Sequence, residues 1–202
     1  MGLRGLIVVI IVWVGWQLFN FYLFPPFIAW PFWLGLCVML LIIACIQLYK
    51  LIRELKSLQA TRILKVITFA LLCYLTMAAW VTRNLIECVD WAIFYSKRSQ
   101  IIEQIKSREL VPNIEYNSQL CQLPFHFPIL SNGGNKIVIE RSENGEHFTV
   151  TFWTLRGLVV TESIGFVYSD NPIDLVELQE KVKTNPDINW KIEDHWYRIV
   201  TE

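Results

Sequence analysis

The distribution of apolar positions divides the chain into two parts. From residue 5 to residue 24 apolar side chains follow one another, with Gln17 and Asn20 as the only strongly polar ones. A second run fills residues 27–49 and a third fills residues 63–82. About 20 helical residues cover the ~30 Å hydrocarbon core of a bilayer, so each run predicts a transmembrane helix. The first run contains Trp13, Trp16 and Phe19 and no small-residue cleavage site, which reads as an uncleaved anchor and not a signal peptide. Pro25-Pro26 removes two backbone donors and ends that run, so the first two runs are expected to form a tight antiparallel hairpin. Pro31 falls near the start of the second run, where helical N–H groups lack partners anyway. Aromatic residues crowd the hairpin: Trp16, Phe19, Phe21, Tyr22, Phe24, Phe27, Trp30, Phe32 and Trp33. That crowding fits a belt at the membrane–water interface better than a ligand pocket.

Beyond residue 96 the pattern becomes that of a water-soluble domain. Ile101, Ile102, Ile105 and Leu110 share one side of a helix predicted over 97–110, expected to continue the third run outward as one helix. The period then changes to two. Phe148, Val150 and Phe152 alternate with Thr149, Thr151 and Trp153, and Asn144-Gly145 is a hairpin signal between strands at 136–141 and 146–154. Further strands are expected at 119–123, 157–161, 164–169, 190–193 and 196–200, with a helix at 174–182 after Asn171-Pro172. The aromatics Trp153, Phe166, Tyr168, Trp190, Trp196 and Tyr197 are expected to fill the sheet core. The fold class is therefore membrane α-helical, with three transmembrane helices, plus an α+β C-terminal domain with an antiparallel β-meander. The predicted division is 1–96 for the membrane region and 97–202 for the soluble domain.

Composition agrees: 54% of the 202 residues are hydrophobic, and the mean hydropathy is +0.40. The net charge of zero averages two opposites. Residues 1–96 hold seven basic and three acidic side chains, and residues 97–202 hold eleven and fifteen. The soluble part is mildly acidic and offers no basic surface to nucleic acid.

The placement of charge orients the chain. Lys50, Arg53, Lys56, Arg62 and Lys65 flank the short link between the second and third runs, against Glu54 alone. The positive-inside rule makes this link cytoplasmic, which puts the N-terminus inside, with Arg4, and residues 97–202 outside. The expected location is the plasma (inner) membrane, with an internal membrane such as a thylakoid as the alternative. Leu51, Ile52, Leu55 and Leu58 recur among these basic residues, as in a short amphipathic helix lying in the headgroups. After the third run, Arg83, Glu87 and Asp90 keep helical spacing. Intramembrane charge is usually functional, so a proton or ion relay is one reading. The preferred reading is a solvated stripe where the helix leaves the bilayer.

Candidate chemistry is sparse. His126, His147 and His195 are isolated, and no Cys/His metal spacing or HExxH occurs. Ser131 and Ser163 lack a nucleophile elbow. Gly133-Gly134 reads as a turn, and Arg156-Gly157 as a turn with an exposed arginine. Glu140/Glu143 and Asp170/Asp174 are read as solvated pairs and not as an acid–base couple. Cys37, Cys45 and Cys73 sit in apolar runs as small hydrophobes. A Cys88–Cys121 bridge is the minority reading. No catalytic residue, metal or cofactor is expected.

The strand sequences at 136–140, 148–157 and 165–170, the Trp196-Tyr197 ending, Leu123-Pro124 and Ser131-Asn132-Gly133-Gly134 resemble a domain found in bacterial membrane proteins of uncharacterised activity. The resemblance covers about residues 95–200 and implies a recurrent extramembrane domain without an assigned reaction. The expected partners are the lipid bilayer and a protein partner or second copy. The expected function is a non-enzymatic accessory, assembly or interaction role. Alternatives are a sensory input subunit, a small oligomeric transporter component, or an outward-facing hydrolase.

Overall fold

The computed structural model describes residues 3–23, 26–53, 59–142, 144–157 and 162–201, with backbone alone at residues 3 and 26–30. The chain forms two compact units, residues 1–89 and 90–202. The boundary precedes residue 96 because Trp91, Phe94 and Tyr95 pack into the core of the second unit.

In the first unit the apolar runs become α1 (Leu3–Leu23), α2 (Pro26–Arg53) and α3 (Ala60–Met77). All three are long and apolar enough to cross a membrane. Pro26 opens α2 at a position where its missing N–H costs nothing. The expected link helix contributes Leu51 and Ile52 to the end of α2, while residues 54–58 lie outside the described set. Leu6 and Trp13 of α1, Leu40 of α2, and Phe69, Leu72 and Cys73 of α3 form the buried core of this unit. The aromatic belt is only partly outward. Phe19 and Phe32 are exposed, whereas Phe21 is buried against Tyr22, with ring centroids 4.8 Å apart.

The third run does not continue outward as one helix. α3 stops at Met77, Ala78 adopts φ −84° and ψ 60°, and α4 (Ala79–Lys106) begins anew. Neither glycine nor proline causes the interruption. Two of the carbonyls it frees, Leu75 O and Thr76 O, are nevertheless satisfied by side-chain donors. The Ala78 N–H donates to Tyr74 O at 2.7 Å. The Thr82 hydroxyl donates to Leu75 O at 2.6 Å. The Trp33 indole of α2 donates to Thr76 O at 2.8 Å. The Trp13 indole of α1 donates to the Thr76 hydroxyl at 2.8 Å, and that hydroxyl donates to Leu72 O at 2.7 Å.

The second unit contains a six-stranded antiparallel sheet in the order β1-β2-β3-β4-β6-β5. Its strands are β1 (Leu120–Gln122), β2 (Lys136–Arg141), β3 (Phe148–Leu155), β4 (Ser163–Ser169), β5 (Trp190–Glu193) and β6 (Trp196–Thr201). The meander holds from β1 to β4. α5 (Pro172–Thr184) then intervenes, β5 takes the edge, and β6 returns between β5 and β4. The strand expected at 157–161 falls on residues 158–161, outside those described.

Alternation assigns the faces. Ile137, Ile139, Phe148, Val150, Phe152, Phe166, Tyr168 and Trp196 pack against Ile101, Ile102 and Ile105 of α4. Val167, Tyr197 and Ile199 point the other way and meet Leu178 of α5. β4 is therefore buried on both faces, and Gly165 keeps it close to β3: a Cβ there would lie 2.9 Å from Thr151 Cγ2 and 3.0 Å from Phe152 O. Trp153 and Trp190 are only half-buried, unlike the other predicted core aromatics. Trp190 instead carries the Arg198 guanidinium 4.6 Å from its ring centroid. Asn171 caps α5, its side chain accepting from the Ile173 N–H at 3.1 Å.

Candidate functional site

The stripe Arg83–Glu87–Asp90 is not a solvated face. Glu87 and Asp90 are buried and Arg83 is half-buried, with its guanidinium 6.0 Å from the Phe21 ring centroid. The stripe is also divided by the unit boundary, which leaves Arg83 and Glu87 in the first unit and Asp90 in the second. The basic link residues behave differently. Lys50 and Arg53 are exposed in the last turn of α2, where a cation favours the helix dipole. Arg62 and Lys65 are half-buried near the start of α3, where a cation opposes it. Helix stability therefore does not explain that second pair. Lys56 lies outside the described residues.

Asp90 pairs with Arg98 two turns along α4, Nη2 to Oδ2 at 2.5 Å, with both side chains only 1% exposed. Arg98 Nη2 also donates to Leu130 O at 3.1 Å. Its guanidinium lies 4.8 Å from the Phe166 ring centroid, 5.9 Å from Trp91 and 6.0 Å from Phe152. The pair thus ties α4 to the loop before β2 through a wall of aromatic rings. In the sequence Arg98 lies off the apolar side formed by Ile101, Ile102, Ile105 and Leu110, and a buried arginine and a surface one look alike in such a pattern.

That loop is organised around Asn135, which is fully buried with φ 57°. Its Oδ1 accepts from the N–H groups of Leu130 at 2.6 Å and Ser131 at 3.2 Å. Its Nδ2 donates to the carbonyls of Phe125 at 3.2 Å, His126 at 3.3 Å and Pro128 at 2.8 Å. Ser131 Oγ donates to Lys136 O at 2.6 Å and accepts from Trp153 N at 2.9 Å. The Asn132 N–H donates to Trp153 O at 2.7 Å, and its side-chain amide donates to Thr154 O. Residues 131–132 thereby extend the pairing of β3 to Trp153 and Thr154, beyond its last β2 partner at Phe152 opposite Ile137. Gly133, at φ +88°, makes the turn, and a Cβ on it would meet Arg156 Cδ at 3.3 Å.

This bracing holds an apolar side chain clear of the rest of its unit. Phe127 is 82% exposed. It borders a groove of about 370 Å³ between α4 and the loop, with Lys97, Gln100 and Gln104 on the helix side and Phe125 and Pro128 opposite. Gln100 and Gln104 are one turn apart, so their amides line one wall while rings and prolines form the other. Such a cleft has the chemistry to bind an extended peptide: amides for its backbone, an apolar wall for its side chains, and Lys97 for an acidic residue.

The remaining candidates are structural. Asp170 Oδ1 accepts from the Phe148 N–H at 2.8 Å and lies 3.7 Å from His147 Nδ1. Asp174 accepts from the Thr149 hydroxyl at 2.5 Å, so the two aspartates hold the start of α5 against β3. Ser163 Oγ accepts from the Gly157 N–H at 3.0 Å, and His195 Nδ1 lies 2.8 Å from Ser169 O. Glu140 is exposed, and Glu143 lies outside the described residues. Cys88 and Cys121 are free thiols. Burial pushes the Cys121 thiol up to about 11, and burial raises the Tyr168 phenol as well. Among the described residues no three His, Cys, Asp or Glu side chains converge into a metal site. No family model, curated protein or solved structure matches the chain.

Proposed function

We propose that this is a multi-pass membrane protein with a non-enzymatic accessory or assembly role, whose extramembrane unit docks an extended segment of a protein partner in the groove beside Phe127. The observation that carries the reading is Phe127 itself. It is 82% exposed on a loop that Asn135 braces through two accepted and three donated hydrogen bonds. A loop ordered in advance lowers the entropy cost of binding, and an aromatic side chain is a common interface anchor. The basic residues about the link support a cytoplasmic N-terminus and an extracytoplasmic groove, and the plasma membrane is the expected site.

The test is photo-crosslinking in native membranes, with a photoreactive phenylalanine analogue at position 127 and a control at exposed Glu162. A discrete protein adduct at 127 that is absent at 162 is expected. Adducts of equal pattern at both positions, or none at 127, would overturn the proposal.

A further inference from the structure

The start of α4 is turned inside out relative to a helix in water. Trp80, Leu85 and Val89 are 70%, 56% and 58% exposed, while Thr82 and Glu87 are 7% and 1% exposed. Arg83 is half-buried on the same inward side. A helix at an aqueous surface shows the opposite order. Charged side chains in membrane segments face the protein interior, as Arg83 and Glu87 do here.

Length points the same way. Arg62 and Lys65 lie near the start of α3, where such side chains reach the headgroups. From Val66 to Met77 is about 18 Å of helix at 1.5 Å per residue. The ~30 Å hydrocarbon core leaves about 12 Å uncovered, a length of about eight more helical residues. Those residues lie past the interruption at Ala78, in the first turns of α4. The exposed apolar face of α3, with Ile67, Leu71 and Tyr74, resumes beyond the interruption with Trp80 and Leu85.

We infer that the third crossing is a broken helix made of α3 and the start of α4, interrupted within the bilayer at Ala78, and that the hydrocarbon of the lipid covers α4 at Trp80 and Leu85, with Val89 one turn beyond at the headgroup level. The Trp33 indole and the Thr82 hydroxyl then satisfy the interrupted backbone where water is absent, and the Trp13 indole satisfies the Thr76 hydroxyl.

Spin labels at Trp80→Cys and Leu85→Cys, in full-length protein with the native cysteines replaced and reconstituted in phosphatidylcholine vesicles, test this. Lipid contact predicts oxygen accessibility several-fold above that of a label at Asn144→Cys, and nickel-chelate accessibility several-fold below it. High nickel accessibility at either site would show water there and overturn the inference. Low accessibility to both reagents would show a protein cover, such as a second copy, and would also overturn it.

Discussion

Replacing Arg98 by methionine should destabilise the second unit more than any surface change. Arg98 is 1% exposed and Asp90 is 2% exposed. Removing the guanidinium would leave a carboxylate in an apolar core, a loss of about 3–5 kcal/mol. Asp90→Leu alone should cost about as much, for the converse reason. The double variant removes both charges and leaves mainly the Leu130 carbonyl without its side-chain donor, at about 1–3 kcal/mol. Both single variants should therefore be less stable than the double. At about 4 °C per kcal/mol for a unit of this size, each single change lowers the midpoint by about 12–20 °C. Thermal melts of the full chain in mild detergent, followed by near-ultraviolet circular dichroism, report the transition because Trp91 and Trp196 pack at 5.0 Å in the same core. Single losses below about 1 kcal/mol, the range of exposed pairs, would refute the argument. So would a double variant that loses the sum of the two singles, since uncoupled sites add.

Asn135→Gly keeps the positive φ but removes the side-chain brace, and should raise amide exchange at residues 125–131 by at least tenfold, read by mass spectrometry, as expected for about 1.4 kcal/mol or more of lost local stability; unchanged exchange would show that the brace is not needed. Thr82→Val removes the donor to Leu75 O and should cost about 1–3 kcal/mol in a detergent melt, while Thr82→Ser keeps most of it. Burial raises the Cys121 thiol from 9.0 to about 11, so its neutral form contributes stability fully below pH 9, and this is lost as pH climbs towards 11. Denaturant midpoints at pH 8.5 and 10.5 should therefore fall further for wild type than for Cys121→Ala, and equal falls would contradict the assignment.

Much of the architecture is legible in the chain because it follows from local repeats. Uninterrupted apolar runs cannot stay in water, and the described spans Arg4–Leu23, Pro31–Arg53 and Ala60–Met77 follow them closely. Period-two alternation at Phe148, Val150 and Phe152, with Asn144-Gly145 before it, makes β2 and β3 a hairpin whatever surrounds them. Asn171-Pro172 starts α5 for equally local reasons. The groove was less legible. Ser131-Asn132-Gly133-Gly134 reads as a turn, but nothing in the pattern tells that Asn135 will gather five backbone groups or leave Phe127 outside.

What the sequence determined by itself was therefore the kind of each element and the two-part division of the chain. The tertiary structure decided which polar groups go inside. The interruption at Ala78 contains no breaker, and its freed carbonyls are met partly by an indole from another helix. Asp90 and Glu87 read as water-facing because charge usually is, yet Asp90 finds its cation in Arg98 two turns away and both leave the solvent. Burying a charge or breaking a helix is unfavourable until a partner is supplied. When that partner comes from elsewhere in the fold, no local pattern announces it.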